Sequence, residues 1–330
     1  MALNRRDFLK IAAAESGLLL ASNVQPALAA PRKKLPPEAV GILYDATLCI
    51  GCKSCMANCK EYNSMEGGAL YSEGGKVPYE FHTPERIWDA PKDLTSKTLN
   101  IIKAYKDGTG LNKDVETDGY CFSKQHCMHC VDPACVSACP VTALKKDPDN
   151  GVVSYDKDAC IGCRYCQIAC PFNIPKFEWD NPFPEIRKCQ FCNHRYREGK
   201  YAACCEYCPT GASIFGKVVD LQAEAKKRLT LEAGRYHDFP VQRVDGPETL
   251  PREVASYVNH IYGLNEVGGT QYLMLSGIPF AKLGLPTLGE KAPPAVSEGI
   301  SHTLYKGMIA PSVVLLGLAI AAYRGSKDLD

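Results

Sequence analysis

The sequence has 330 residues, about the length of two domains, and its 38 Lys+Arg residues nearly balance 37 Asp+Glu residues. This balance gives no indication of nucleic acid binding, so no nucleic acid partner is predicted. An apolar content of 45% excludes a wholly disordered chain. The 18 cysteines, most of them in short runs, leave three classes open: a disulfide scaffold, a zinc protein or an iron–sulfur protein.

Residues 1–29 are predicted to form a twin-arginine export signal. Arg5 and Arg6 precede a weakly apolar run over Ile11–Leu20, and residues 27–29 (Ala-Leu-Ala) have the small-x-small pattern of a cleavage site. The alternative is a basic start to an amphipathic helix. Because the twin-arginine route carries folded proteins, it would allow an iron–sulfur cluster inserted in the cytoplasm to be exported with its protein. We therefore expect the protein at the periplasmic face of the bacterial inner membrane.

Sixteen of the cysteines form four groups of four within a predicted body at residues 30–216. Two groups have the spacing C-x2-C-x2-C-x3-C, and three groups end in Cys-Pro. In chain order the groups are Cys49, Cys52, Cys55 and Cys59; Cys127, Cys130, Cys135 and Cys139; Cys160, Cys163, Cys166 and Cys170; and Cys189, Cys192, Cys204 and Cys208. Three thiolates on one tight loop can each bind an iron of one cubane, so the pattern predicts four [4Fe–4S] clusters.

Two alternatives to the iron–sulfur interpretation stay open. Zinc sites usually take C-x2-C pairs from two separated places, and cysteines in such tight runs pair poorly with one another as disulfides. Both hypotheses are therefore less well supported by the spacing. Cys121 and Cys205 are left over, and we expect them to be buried thiols rather than ligands.

The spacing also predicts how the two middle groups share their ligands. The fourth cysteine of a group lies on the helix after the loop and cannot turn back, so it ligates the neighbouring cluster. One cluster would be held by Cys127, Cys130, Cys135 and Cys170, and the other by Cys139, Cys160, Cys163 and Cys166.

Short strands and an internal repeat indicate the fold class. A Tyr-Asp pair three residues before a Cys-Ile-Gly-Cys loop occurs at Tyr44 and again at Tyr155. Val141–Lys146 and Val152–Tyr155 are predicted to form a hairpin, and Ala212–Gly216 a further strand. The pattern predicts an α+β fold of two pseudo-symmetric bacterial-ferredoxin-like double-cluster modules with loop insertions.

Two long stretches contain no ligand pattern. Residues 60–120 are predicted to be an insertion of loops with a short helix. Residues 217–302 begin with a predicted helix at Val218–Leu231 and are expected to cover the body or to contact partners.

The C-terminal residues 303–324 are predicted to be a transmembrane anchor. Gly307–Tyr323 carries no charge and, at about 1.5 Å per residue, is slightly shorter than a hydrocarbon core of about 30 Å. Lys306 can extend the span by reaching the interface, and Arg324 suits a cytoplasmic end, with residues 325–330 as a cytoplasmic tail. The alternative is a helix buried in a protein core.

The cysteine motifs resemble those of the four-cluster electron-transfer subunits of membrane-bound respiratory oxidoreductases. These include the beta subunits of formate dehydrogenase and of dimethyl sulfoxide or polysulfide reductase. More narrowly, four stretches resemble the HybA-type iron–sulfur subunit of periplasm-facing, membrane-bound [NiFe] uptake hydrogenases; they are residues 108–114, 125–133, 155–165 and 302–308.

The resemblance implies an electron-transfer subunit that is not catalytic alone. Its partners would be the small and large subunits of a [NiFe] hydrogenase and an integral membrane quinone-reducing subunit. It also implies that the outer groups exchange ligands, giving one cluster on Cys49, Cys52, Cys55 and Cys208 and another on Cys59, Cys189, Cys192 and Cys204. The alternative function is that of the beta subunit of a formate dehydrogenase or a molybdenum reductase.

Overall fold

The structure is a computed structural model, and it describes residues 33–63, 93–179 and 181–298, together with residues 312, 315–318 and 320. The chain divides into two compact units, one of Lys33–Ala292 and one of Met1–Arg32 with Pro293–Asp330. The predicted export signal and most of the predicted anchor lie outside the described residues. In the smaller unit, residues 293–298 and the described residues between 312 and 320 are helical.

No helix in the described parts of the chain combines the length and the apolar character needed to cross a membrane.

The larger unit combines short helices and strands, so its content is mixed α and β. Its strands are β1 (Val40–Asp45), β2 (Ile101–Lys106), β3 (Asn112–Lys113), β4 (Gly119–Gln125), β5 (Leu144–Lys146), β6 (Val153–Tyr155), β7 (Lys176–Phe177), β8 (Ile186–Arg187), β9 (Ser213–Lys217), β10 (Tyr236–Pro240), β11 (Thr249–Glu253) and β12 (Tyr272–Leu275). Its α-helices are α1 (Ser54–Asn63), α2 (Ala134–Ser137), α3 (Tyr165–Ala169), α4 (Asn193–Arg197), α5 (Ala203–Glu206) and α6 (Val218–Leu229).

A three-stranded sheet of order β12–β1–β9 supports the first cysteine group. All six residues of β1 are buried, because β1 pairs parallel with β12 on one side and antiparallel with β9 on the other. Helix α6 packs on all three strands, and its Leu221 and Ala225 join Leu43 of β1 in one apolar cluster. The stretch that lacks cysteines therefore supplies a strand and a helix to the scaffold.

A buried ion pair ties α6 to the start of the first cysteine loop. Arg228 donates to Asp45 Oδ2 at 2.9 Å, and both side chains are buried. Asp45 also accepts the backbone N–H of Thr47 at 3.0 Å and so caps the 3-10 turn Ala46–Leu48. Because Cys49 follows that turn directly, the ion pair fixes the point at which the loop begins.

Several predicted elements are confirmed. The hairpin forms as β5 and β6, with Leu144 opposite Tyr155. The predicted strand at Ala212–Gly216 is β9, shifted by one residue, and the predicted helix is α6, which ends two residues early.

The expectation of loops with a short helix over residues 60–120 misses three strands in its described part, residues 60–63 and 93–120. β2, β3 and the start of β4 lie there and form a sheet of order β2–β4–β3. Ile101 and Ile102 are buried, and β2 pairs antiparallel with β4. Two lysines in β2 conceal the apolar alternation that would indicate a strand.

Two pairs of short helices carry cysteines from different groups. Helix α1 packs on α5, and α2 packs on α3. Cys55 and Cys59 lie in α1 and Cys204 in α5, whereas Cys135 lies in α2 and Cys166 in α3. Each pair of helices therefore joins two separate cysteine groups.

Candidate metal centre

Each cysteine group begins with the same backbone turn. The residue two places after the first cysteine has a positive φ in all four groups; these residues are Gly51, His129, Gly162 and Phe191. In the first, third and fourth groups the backbone N–H of this residue donates to the sulfur of the first cysteine at 3.4 Å. Such bonds stabilise negative charge on a sulfur ligand.

The first three cysteines of the first group lie together with the last cysteine of the fourth. Cys208 is an electrostatic neighbour of both Cys49 and Cys55. A small cavity of about 20 Å³ is lined by Cys49, Cys52, Cys55 and Cys208. A pocket whose sulfur donors come from all four of these cysteines has the donor set of a [4Fe–4S] site.

The remaining cysteine of the first group lies with the other cysteines of the fourth. Cys59 has Cys192, Cys189 and Cys204 as its electrostatic neighbours. All four side chains are buried.

The two middle groups exchange their last cysteines in the same way. Cys130 has Cys127, Cys170 and Cys135 as neighbours. Cys166 has Cys160, Cys163 and Cys139 as neighbours. The structure therefore brings together each of the four sets of cysteines expected from the sequence and from the resemblance.

The protonation of these thiols depends on burial. Burial raises the pKa of the Cys135 thiol to about 12 and that of the Cys166 thiol to about 11. Burial also raises the pKa of Cys130 well above its usual range. Bound iron would supply the positive charge that turns such thiols into thiolates. Among the described residues, no group of three or more His, Cys, Asp or Glu side chains is arranged to hold a single metal ion.

The four sets of thiols form a series. Three pairs of neighbouring thiols link one set to the next; they are Cys55 with Cys204, Cys189 with Cys127, and Cys135 with Cys166. The order is therefore the set containing Cys49, then that of Cys59, then that of Cys127, and last that of Cys160.

The four sets differ in the exposure of their cysteines, and the interior set containing Cys127 has two that are half-buried, Cys130 and Cys170. Cys52, in the first set, is exposed. In the last set Cys139, Cys160 and Cys163 are half-buried. Every cysteine of the set containing Cys59 is buried.

A neutral histidine joins the second and fourth groups. The backbone N–H of Val153 donates to His129 Nδ1 at 3.0 Å, so His129 Nε2 carries the proton and donates to Cys189 O at 3.1 Å. The ring stacks on Phe191 with a centroid distance of 3.7 Å. Burial lowers the pKa of His129 well below its usual range, which keeps the ring uncharged. No local motif predicts this bridge, because its partners are distant in sequence.

Three lysines near the thiols, of which Lys124 and Lys188 are buried and Lys146 is half-buried, are a second feature that the motifs do not reveal. Lys124 Nζ donates to Ser213 Oγ at 3.0 Å, and Lys146 Nζ donates to Cys130 O at 2.8 Å. Lys188 Nζ donates to Cys189 O at 3.1 Å. These cations lie close to the sites where negative charge is expected.

The two left-over cysteines are buried, as predicted. Cys121 and Cys205 have no exposed surface. Cys205 lies beside Cys204, and its hydrogen bond lowers the pKa of the Cys204 thiol. All 18 cysteines lie in the described part of the chain, and each is a free thiol there.

Comparisons with known proteins agree with this arrangement. Residues 118–218 match the family described as "4Fe-4S dicluster domain". The chain is 44% identical to the hydrogenase-2 operon protein HybA of Escherichia coli O157:H7 over 332 residues, covering 99% of this chain and 97% of that protein. The chain belongs to the HybA family. It is accordingly an iron–sulfur electron-transfer protein and not a catalyst on its own.

More distant relatives of this HybA-family chain belong to formate dehydrogenases. The formate dehydrogenase iron-sulfur subunit of Haemophilus influenzae is 28% identical over 297 residues, 88% of this chain and 81% of that protein. The nitrate-inducible formate dehydrogenase iron-sulfur subunit of Escherichia coli K12 is 33% identical over 208 residues, 63% of this chain and 64% of that protein.

The repeated turn allows a matched test of the first cysteine loop. A Cβ at Gly51 would lie 2.5 Å from the buried ring of Phe122, whereas a Cβ at Gly162 would lie 3.6 Å from the ring of Phe177. Both glycines have a positive φ near +70°, so alanine costs each loop about 1–2 kcal/mol of backbone strain. Gly51→Ala adds an overpacking cost of about 1–3 kcal/mol. We expect Gly51→Ala to lose more iron per chain than Gly162→Ala after anaerobic purification.

A second variant checks that the ring is the cause. Phe122→Leu, combined with Gly51→Ala, should restore part of the lost iron. Equal iron loss in the two glycine variants would contradict this account of the loop.

Proposed function

We propose that this chain carries electrons through four [4Fe–4S] clusters between a periplasmic [NiFe] hydrogenase and a membrane quinone-reducing subunit. The observation that carries the proposal is the ordered series of four thiol sets in a chain whose whole length matches a hydrogenase-2 operon protein. Each cluster, when bound, supplies a one-electron carrier. The protein's own residues set the positions, the order and the exposure of these carriers.

The ligands of each cluster are assigned from the cysteine thiols that lie next to one another. We assign Cys49, Cys52, Cys55 and Cys208 to the first cluster, and Cys127, Cys130, Cys135 and Cys170 to the second. We assign Cys139, Cys160, Cys163 and Cys166 to the third, and Cys59, Cys189, Cys192 and Cys204 to the fourth. The grouping of cysteines on two pairs of packed helices supports two pseudo-symmetric modules with two clusters each.

The exposure of the thiols supports a role in passing electrons between partners. A carrier that accepts electrons from one protein and delivers them to another needs an accessible site at each end of its path. The set with exposed Cys52 and the set with half-buried Cys160 are the terminal sets of the series. Burial of the set containing Cys59 shields that step of the path from water.

The alternative partner is a formate dehydrogenase or a molybdenum reductase. The Haemophilus influenzae formate dehydrogenase subunit aligns with 88% of this chain at 28% identity, and the Escherichia coli K12 subunit with 63% at 33% identity. The HybA protein aligns with 99% of it at 44% identity. The hydrogenase role therefore accounts for more of the sequence.

The two ends of the chain support a location at the inner membrane. Arg5 and Arg6 with the cleavage pattern at residues 27–29 favour twin-arginine export, and the uncharged stretch Gly307–Tyr323 favours a C-terminal anchor. We propose that the body faces the periplasm and that residues 303–324 hold it at the membrane.

Deletion of this chain from its native host tests the proposed role. Hydrogen oxidation with an artificial dye should persist in the membranes, because the catalytic partner is intact, whereas electron transfer from hydrogen to quinone should fall to background. Both should be normal when the deletion strain expresses Cys121→Ser, which changes a cysteine outside the four sets. Loss of the dye-linked activity, or persistence of quinone reduction, would contradict the proposal.

The exchange of ligands between the middle groups has its own test. Cys170→Ser should remove or alter the same electron paramagnetic resonance signal as Cys130→Ser, because both residues are assigned to one cluster. Cys139→Ser is the mirror control and should act on the same signal as Cys163→Ser. If Cys170→Ser instead altered the signal of Cys163→Ser, the assignment of these two clusters would be wrong.

A further inference from the structure

The ammonium group of Lys124 is a buried charge with an unusual environment. Lys124 lies on β4 with 0% of its surface exposed. Its Nζ donates to Ser213 Oγ at 3.0 Å, and the titratable groups that interact with it are the thiols of Cys204, Cys205 and Cys55 and the phenol of Tyr272. No carboxylate among the described residues forms an ion pair with it. A buried charge is costly unless an opposite charge compensates it.

Arg228 shows how the same protein compensates an ordinary buried cation. Its guanidinium, also 0% exposed, donates to Asp45 Oδ2 at 2.9 Å and to Glu224 Oε1 at 2.8 Å. Two carboxylates therefore meet that charge directly. Lys124 has no such pair among the described residues, so its counter-charge must have another source.

The position of Lys124 identifies that source. Ser213, which accepts the hydrogen bond from Lys124, lines the cavity formed by Cys49, Cys52, Cys55 and Cys208. The ammonium also interacts with Cys204, which belongs to the adjoining set of thiols. Lys124 therefore lies between the set containing Cys49 and the set containing Cys59.

We propose that the Lys124 ammonium is the shared counter-charge of two clusters, the one on the set containing Cys49 and the one on the set containing Cys59, and that it raises both of their reduction potentials. The proposal rests on the cluster assignment above. A cluster held by thiolates is an anion, and reduction adds a further negative charge, so a nearby buried cation stabilises the reduced form. The same cation weakens the repulsion between two neighbouring reduced clusters. Lys124 thus adjusts the energy of the buried step between these two carriers.

Redox titration of the purified full-length protein, followed by electron paramagnetic resonance, tests this role. In Lys124→Met, the two signals assigned to the set containing Cys49 and the set containing Cys59 should shift to more negative potentials. We expect a change of about tenfold in each reduction equilibrium, which is about 59 mV for a one-electron couple. Lys124→Arg keeps the charge and should keep potentials close to those of the wild type.

Lys146→Met is a matched control elsewhere in the protein. Lys146 lies beside Cys130 and Cys127, so its replacement should shift the signal of the set containing Cys127. The signals of the sets containing Cys49 and Cys59 should stay unchanged. Unchanged potentials in Lys124→Met with wild-type iron content would overturn the proposal. So would an equal shift of all four signals, because that result would indicate a general structural effect.

A second pair of variants applies if Lys124→Met loses iron. Ser213→Asp places a carboxylate against the ammonium and cancels its charge, whereas Ser213→Asn changes the same side chain without adding charge. We expect lower potentials for the two clusters in Ser213→Asp than in Ser213→Asn, and equal potentials would overturn the proposal. The iron content and partner activities of the wild type are independent of this comparison, so a failure of the proposed function would be seen separately.

Discussion

The arrangement of the four sets of thiols depends on positive charge that offsets the negative charge on buried sulfur. Burial raises the pKa of many of these thiols, including Cys59 and Cys189, so they would hold their protons in the absence of a nearby positive charge. Iron would supply most of that charge, and backbone N–H groups at the sulfurs supply part of the remainder. The positive-φ turns in the first, third and fourth loops bring these N–H groups into place. Lys124, which is buried, and Lys146, which is half-buried, add positive charge from strands outside the loops.

The scaffold around the sulfurs is made from distant parts of the sequence. β1 pairs with β12 and β9, and α6 closes the sheet, so the stretch without cysteines completes the support for the first loop. The buried pair of Arg228 and Asp45 connects this support to the turn before Cys49. His129 connects the second and fourth groups through hydrogen bonds and ring stacking. These contacts fix the spacing between neighbouring sets of thiols.

Local spacing explains why much of the candidate site could be predicted from the sequence. The C-x2-C pattern and the Cys-Pro ends identify the candidate ligands, and the hairpin and α6 follow from turn residues and periodicity. β2 escaped prediction because its lysines conceal its strand pattern and its stability comes from pairing with β4. The His129 bridge and the position of Lys124 also depend on contacts between distant segments. Such contacts leave no regular pattern in a single sequence.

The content of iron and acid-labile sulfide in anaerobically purified protein tests the central claim most directly. Four cubane clusters predict about sixteen irons and about sixteen sulfides per chain. A value near eight of each, enough for two clusters, would contradict the series of four carriers even though the dicluster domain at residues 118–218 would remain.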